Sequence, residues 1–165
     1  MHIKNSVLFI CTANQIRSPI AEELFKEAIG KGNKHIHNWQ IDSAGTWAKQ
    51  GLHAIPEAVN AMQETGRNIQ AHRSRRVSRE MLNRYQLILT METGHKEALQ
   101  IEFPDLAKRI FTLGEMSDTY LSIPDPIGKG IEEYRITIEE INFWIQKGFA
   151  RIVNLSKVLE KNQID

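Results

Sequence analysis

Four consecutive apolar residues, Val7, Leu8, Phe9 and Ile10, run straight into Cys11, and a short loop later Arg17, Ser18 and Pro19 carry the signals of a helix start. An apolar run this short, bounded by turn chemistry, reads as a strand buried on both faces, as strands of parallel sheets are. Ser18 suits an N-cap, Pro19 suits the first helical position where a missing N–H costs nothing, and Glu22 and Glu23 complement the positive end of the dipole. A buried strand feeding a helix through so short a loop commits the chain to the α/β class.

The rest of the chain continues that alternation. Helix is expected from about Pro19 to Ile29, strand near Gln40 to Asp42, and helix from Pro56 to Glu64, stopped by Gly66. Strand follows from Gln86 to Thr90, helix from Glu92 to Ile101, and strand from Arg109 to Thr112. Tyr134, Ile138, Ile141, Ile145, Phe149, Ile152 and Leu159 recur at helical spacing and give one long last helix an apolar face. Strands and helices in alternation imply a parallel sheet with helices on both faces, a three-layer arrangement.

With 165 residues, 41% of them apolar, the chain can bury a core as a single domain, 1–165, without disulfides or metals. A net charge of +1 makes no general case for nucleic acid. Residues 67–84 hold six arginines against Glu80, read as a solvated helix and loop, with attraction of an anionic phosphoprotein as the functional alternative. The N-terminal apolar run is too short to span a membrane, so no membrane partner is expected. One free cysteine fits a reducing cytoplasm, and a monomer is the expectation.

Cys11 is the only cysteine. Alone it reads as a buried, inert thiol. Its place changes that, because ligands of α/β sheets bind outside the carboxyl ends of the strands. A helix N-terminus, converging loop amides and the Arg17 guanidinium all favour a thiolate, the form in which sulfur is nucleophilic. Arg17 offers a planar fork to two phosphoryl oxygens at once, where lysine would offer a point charge. With that charge neutralised by the loop, phosphoryl transfer to sulfur needs neither metal nor other cofactor. Far downstream, Asp125 lies between Pro124 and Pro126 on a stiffened loop. Alone it reads as a turn residue. Beside Cys11 it reads as the acid that protonates a leaving oxyanion and then activates water.

Five segments occur together and in order: Cys11 to Pro19, Asp42 to Trp47, His72 to Arg75, Leu87 to Met91, and Asp125 to Gly128. In this the chain resembles the low-molecular-weight protein tyrosine phosphatases over about residues 5–160, most closely their bacterial branch with its related protein arginine phosphatases. The resemblance implies a four-stranded parallel sheet in the order 2-1-3-4. It implies Cys11 as nucleophile, Arg17 as phosphate clamp and Asp125 as general acid, then base. Thr12, Ala13, Asn14, Gln15, Ile16 and Ser18 complete the phosphate loop, and Asn14, Ser18, Ser43 and His72 tie it in place. Trp47 and Ile127 correspond to the substrate walls. Read without the resemblance, Ser43 is a turn residue, His72 an ordinary histidine, and Trp47 packing under a loop.

Departures from the family pattern bear on chemistry and substrate. Ala13 stands where the family usually has glycine, which would strain the loop if positive φ is needed there. Ile16 stands where many members have a second cysteine, so no internal disulfide can protect Cys11, and a cysteine relay of the arsenate-reductase kind lacks its thiols. Gln15 matches neither the isoleucine of tyrosine-specific members nor the threonine of arginine-specific ones. The expected function is hydrolysis of phosphotyrosine in a phosphorylated protein through a phosphocysteine. Phosphoarginine is the alternative substrate, and phosphate binding without turnover the alternative class.

Overall fold

The computed structural model describes residues 5–32 and 35–158. Four strands, β1 (Asn5–Cys11), β2 (Trp39–Gly45), β3 (Leu87–Thr90) and β4 (Ile110–Thr112), form one parallel sheet in the order β2-β1-β3-β4. Among the described residues five α-helices accompany them: α1 (Arg17–Lys31), α2 (Pro56–Glu64), α3 (Arg79–Leu82), α4 (Thr93–Glu102) and α5 (Ile131–Leu155). Short 3-10 turns cover Ile36–Asn38, Pro104–Arg109 and Gly114–Ser117.

The three layers follow from the two-residue period of the strands. Val7 and Phe9 of β1, Ile41 of β2 and Leu87 and Leu89 of β3 face one core, closed by α1, α2 and α5. Leu8, Ile10, Ala44, Ile88 and Ile110 face the other, where Leu82, Tyr85, Leu99 and Phe103 cover them. β1 is thus apolar without alternation because both its faces are covered. Phe25 of α1 packs edge-on against Phe9 and Trp39, locking the first helix to the first two strands.

Several expected boundaries shift. α1 starts two residues before Pro19 and runs beyond Ile29, β2 is longer at both ends than Gln40 to Asp42, and Gln86 and Arg109 lie just outside their strands. α2 matches its expected span, and Gly66 follows it at φ 80°. Leu159 of the expected last helix lies outside the described residues. Within 67–84 the only helix is the single turn α3, capped by Ser78, and most of the arginines are engaged. Arg67 pairs with Glu27, Arg75 with Asp42, Arg79 with Asp105 and Arg84 with Glu80, so this segment is less of a free cationic surface than its composition implies.

Parallel register brings the functional segments to one edge. Cys11 is level with Gly45 and Ile10 with Thr90. Past the strand ends, Met91 N–H donates to the Ile10 carbonyl, and Ile123 N–H to the Met91 carbonyl, drawing the segment before Asp125 over the carboxyl end of β3. No helix among the described residues is long and apolar enough to cross a membrane.

Candidate active site

Residues 11–17 wrap the gap between the end of β1 and the start of α1. Cys11 is buried, with its Sγ 3.0 Å from Ser18 Oγ. Ser18 is not the N-cap its sequence position suggested. The helix begins at Arg17, the cap position is Ile16 with no side-chain cap bond, and no acidic residue lies in the first turn. The Ser18 hydroxyl turns inward instead, accepting from Asn14 Nδ2 at 2.8 Å and lying 3.3 Å from the Ala44 carbonyl. A helix start without a side-chain cap leaves its amides for an external anion.

Asn14 is the loop's anchor. It is the loop residue with positive φ, 56°, and Ala13 is not, so the β-carbon at position 13 adds no strain of that kind. The left-handed backbone at Asn14 is held by four bonds. Its Nδ2 donates to Ser18 and, at 2.9 Å, to Ser43 Oγ; its Oδ1 accepts from the Arg75 N–H at 2.8 Å; its carbonyl accepts from His72 Nε2 at 2.7 Å. Ser43 in turn donates to Glu22 at 2.6 Å. Burial pushes His72 below the ordinary imidazole value, against the pull of its bond to Asn14.

Gly45 is the further support that the residue pattern did not single out. A β-carbon there would meet the Thr12 carbonyl oxygen at 2.4 Å, with Asn14 N and Ala13 C also within contact range. All three atoms are backbone of the loop, so none can swing aside. Gly45→Ala should cost about 1–3 kcal/mol by overpacking and weaken binding of inorganic phosphate. Thermal melts and calorimetric titration check both, and unchanged values would show that the loop has room.

Arg17 is 2% exposed, and both terminal nitrogens of its guanidinium are engaged. Nη1 donates to the Ile123 carbonyl at 2.8 Å and pairs with Glu92 at 3.0 Å. Nη2 pairs with Asp125 Oδ2 at 3.1 Å and lies 3.4 Å from Thr12 Oγ1. Asp125 Oδ1 accepts the Ile127 N–H at 3.1 Å, which folds the acid loop back on itself. Glu92 and His95 were read as ordinary members of a helix. Their place just past β3 was the available signal, since every strand end at this edge of the sheet approaches the site.

Cys11, Arg17 and Asp125 line one cavity of about 290 Å³, its open mouth included, with Ala13, Gln15, Ile16, Ile55 and Ile127. Ile127 thus lines the cavity that Cys11 and Arg17 share. Trp47 is not among the lining residues. Trp47 is 76% exposed and its ring carries the Arg76 guanidinium 5.7 Å from its centroid, while the Trp47 backbone N–H donates to the Thr12 carbonyl. The second aliphatic wall is Ile55, whose N–H donates to the Gln15 carbonyl. Gln15 Nε2 donates to the His53 carbonyl at 2.8 Å, leaving its Oε1 as a free acceptor position beside the cavity.

The sequence profile of the family described as low molecular weight phosphotyrosine protein phosphatase matches residues 6–162. A protein-arginine-phosphatase of Geobacillus stearothermophilus is 34% identical over 86% of this chain and 91% of its own length. The low molecular weight protein-tyrosine-phosphatase Wzb of Escherichia coli is 32% identical over 79% of this chain and 83% of its own. Among solved structures, the low molecular weight protein tyrosine phosphatase from T. tengcongensis superposes with a TM-score of 0.83 at 35% identity, covering 89% of this chain and 99% of that one. Cys11, Arg17, Asp125 and the loop from 11 to 17 thus stand on the fold that these relatives share, and the chain belongs to the low molecular weight protein tyrosine phosphatase family.

Proposed function

We propose that this protein is a metal-independent protein phosphatase that hydrolyses phosphotyrosine through a phosphocysteine. The observation that carries the reading is the convergence of a buried thiol, a guanidinium and a carboxylate on one cavity at the start of a helix. In the first step Cys11 Sγ attacks phosphorus, the ester P–O bond breaks, and Asp125 gives its proton to the departing phenolic oxygen. In the second, Asp125 takes a proton from water as that water attacks phosphorus, the P–S bond breaks, and the thiolate returns. Arg17 and the loop amides carry the charge on the phosphoryl oxygens through both steps.

Ile55 and Ile127 make a slot with aliphatic walls, and Asp125 is the only carboxylate lining it, an environment that suits a phenyl ring. Phosphoarginine is the second reading, favoured by one observation: Gln15 lines the cavity, and with its Nε2 bound to the His53 carbonyl its amide oxygen is left to accept from a guanidinium N–H. A lone thiol with no resolving cysteine works in a reducing compartment, which supports action in the cytoplasm; a single-domain monomer is part of the same proposal. The test is hydrolysis, with chelator present, of matched phosphotyrosine, phosphoarginine and phosphoserine peptides. Phosphotyrosine should be the best substrate and phosphoserine poor. A reversed order of the first two would move the assignment to arginine, and phosphate binding with no turnover of any peptide would replace the enzyme by a binding module.

A further inference from the structure

Four side chains beside the cavity form a closed circuit. Arg17 Nη1 pairs with Glu92 Oε1 at 3.0 Å, Glu92 Oε2 lies 3.3 Å from His95 Nε2, His95 Nε2 is 2.8 Å from Thr12 Oγ1, and Thr12 Oγ1 is 3.4 Å from Arg17 Nη2. The members come from the phosphate loop, the first residue of α1, and the turn into α4. Thr12, Glu92 and His95 do not line the cavity, so they reach it only through Arg17 and the loop.

His95 is the telling member. It is buried, and its Nδ1 has no hydrogen-bond partner. An orphaned nitrogen in the interior costs stability, so this histidine is poorly explained as packing. Nε2, by contrast, has two oxygen neighbours. With the proton on Nε2 the imidazole donates to Thr12 with Glu92 close by, and the orphan nitrogen is a bare lone pair rather than a stranded N–H. Burial favours that neutral ring by lowering its proton affinity, with Glu92 pulling the other way.

The guanidinium shows why a circuit is useful. Nη1 donates to the Ile123 carbonyl with Glu92 in ion-pair range, and Nη2 donates to Thr12 and Asp125, so each planar fork of the guanidinium, Nε with Nη2 or Nη1 with Nη2, uses an occupied Nη2 hydrogen. A phosphoryl group needing two coplanar donors must displace one partner, and Asp125 is the one that lines the cavity. Exchange of Asp125 for a phosphoryl oxygen frees the acid at the moment of binding, provided the guanidinium plane does not follow it. We propose that Thr12, Glu92 and His95 are positioning residues that lock the plane of Arg17 while Asp125 exchanges for substrate. This rests on the phosphatase reading. Glu92 also carries a negative charge near the phosphate site, so a purely electrostatic role would oppose anion binding, whereas a positioning role acts on kcat.

The test uses the full chain, an aryl phosphate with chelator, and the variants Thr12→Val, Thr12→Ser, His95→Phe and the Thr12→Val/His95→Phe pair. Thr12→Val and His95→Phe should each lower kcat by on the order of 10- to 10²-fold with little change in KM. Thr12→Ser keeps the hydroxyl and should stay close to the starting rate. The double variant should lose no more than the worse single one, because either change opens the same circuit. His95→Phe should melt no lower than the starting chain, since the orphan nitrogen is gone. Unchanged kcat in Thr12→Val and His95→Phe, or a double variant that multiplies the two losses, overturns the proposal. Thr12→Val is close to isosteric and keeps the question open to measurement if His95→Phe does not fold. If the unsubstituted chain shows no turnover, the phosphatase reading falls and the circuit's role with it; turnover with indifferent variants removes the circuit alone.

Discussion

Cys11→Ser should abolish hydrolysis of a simple aryl phosphate while leaving inorganic phosphate binding intact. A serine hydroxyl is close to the thiol in size, so the loop and its bond from Ser18 can survive the exchange. What disappears is the sulfur nucleophile, because an alcohol attacks phosphorus far less readily than a thiol unless a base activates it. No base stands ready to activate a hydroxyl at this position. The neighbours that the structure gives the sulfur are the Ser18 hydroxyl and the cavity, and Asp125 is tied to Arg17. Loss of a group that forms the covalent bond is worth on the order of 10⁴-fold or more. The measurement is chelator-treated turnover of both chains, paired with calorimetric titration of inorganic phosphate and a thermal melt. Persistent turnover in a folded, phosphate-binding Cys11→Ser chain would remove Cys11 from the mechanism.

Asp125→Ala is the second large effect, and its signature is dependence on the leaving group. Phenolates of high pKa need a proton as the P–O bond breaks, and a positioned carboxylic acid supplies about 10²- to 10⁴-fold. Nitrophenolate leaves without such help, so the same substitution should slow its release far less. The position is well defined. Pro124 and Pro126 limit the backbone, Oδ1 caps the turn at Ile127, and Oδ2 lies against Arg17. Removing the carboxylate also removes a competitor for Arg17, so phosphate affinity should hold or rise. Rates on unactivated phenyl phosphate against nitrophenyl phosphate decide the matter, and equal losses on both would assign Asp125 a structural role.

The α/β class was readable because it depends on patterns local to a few residues at a time, whereas the strand order was an implication of the family resemblance, which the sheet order β2-β1-β3-β4 matches. Val7 to Ile10 announced a strand covered on both faces, and Pro56 and Gly66 bracketed α2 correctly. Cys11, Arg17 and Asp125 were legible for a different reason: their chemistry is rare at such positions, and a stiff or helix-opening context marks each one. Ser18 misled as an N-cap because the same residue type serves a cap and an interior hydroxyl. Only the path of the loop, with Asn14 in a left-handed conformation, sends its oxygen to the sulfur.

Glu92, His95, Gly45 and Ile55 escaped for a common physical reason. Each acts through a neighbour that is distant along the chain, Glu92 on Arg17, His95 on Thr12, Gly45 against the Thr12 carbonyl and Ile55 on Gln15. Trp47 was placed at the cavity by resemblance, and its ring instead lies exposed with Arg76 beside it. Taken alone, the sequence determined the order of elements and which side chains are the candidates for the chemistry, because hydrophobic periodicity and functional-group chemistry are written residue by residue. The tertiary structure alone decided which carboxylate holds the clamp, which residues wall the cavity and where the loop carries its strain, because those follow from the register that brings β1, β2 and β3 to one edge.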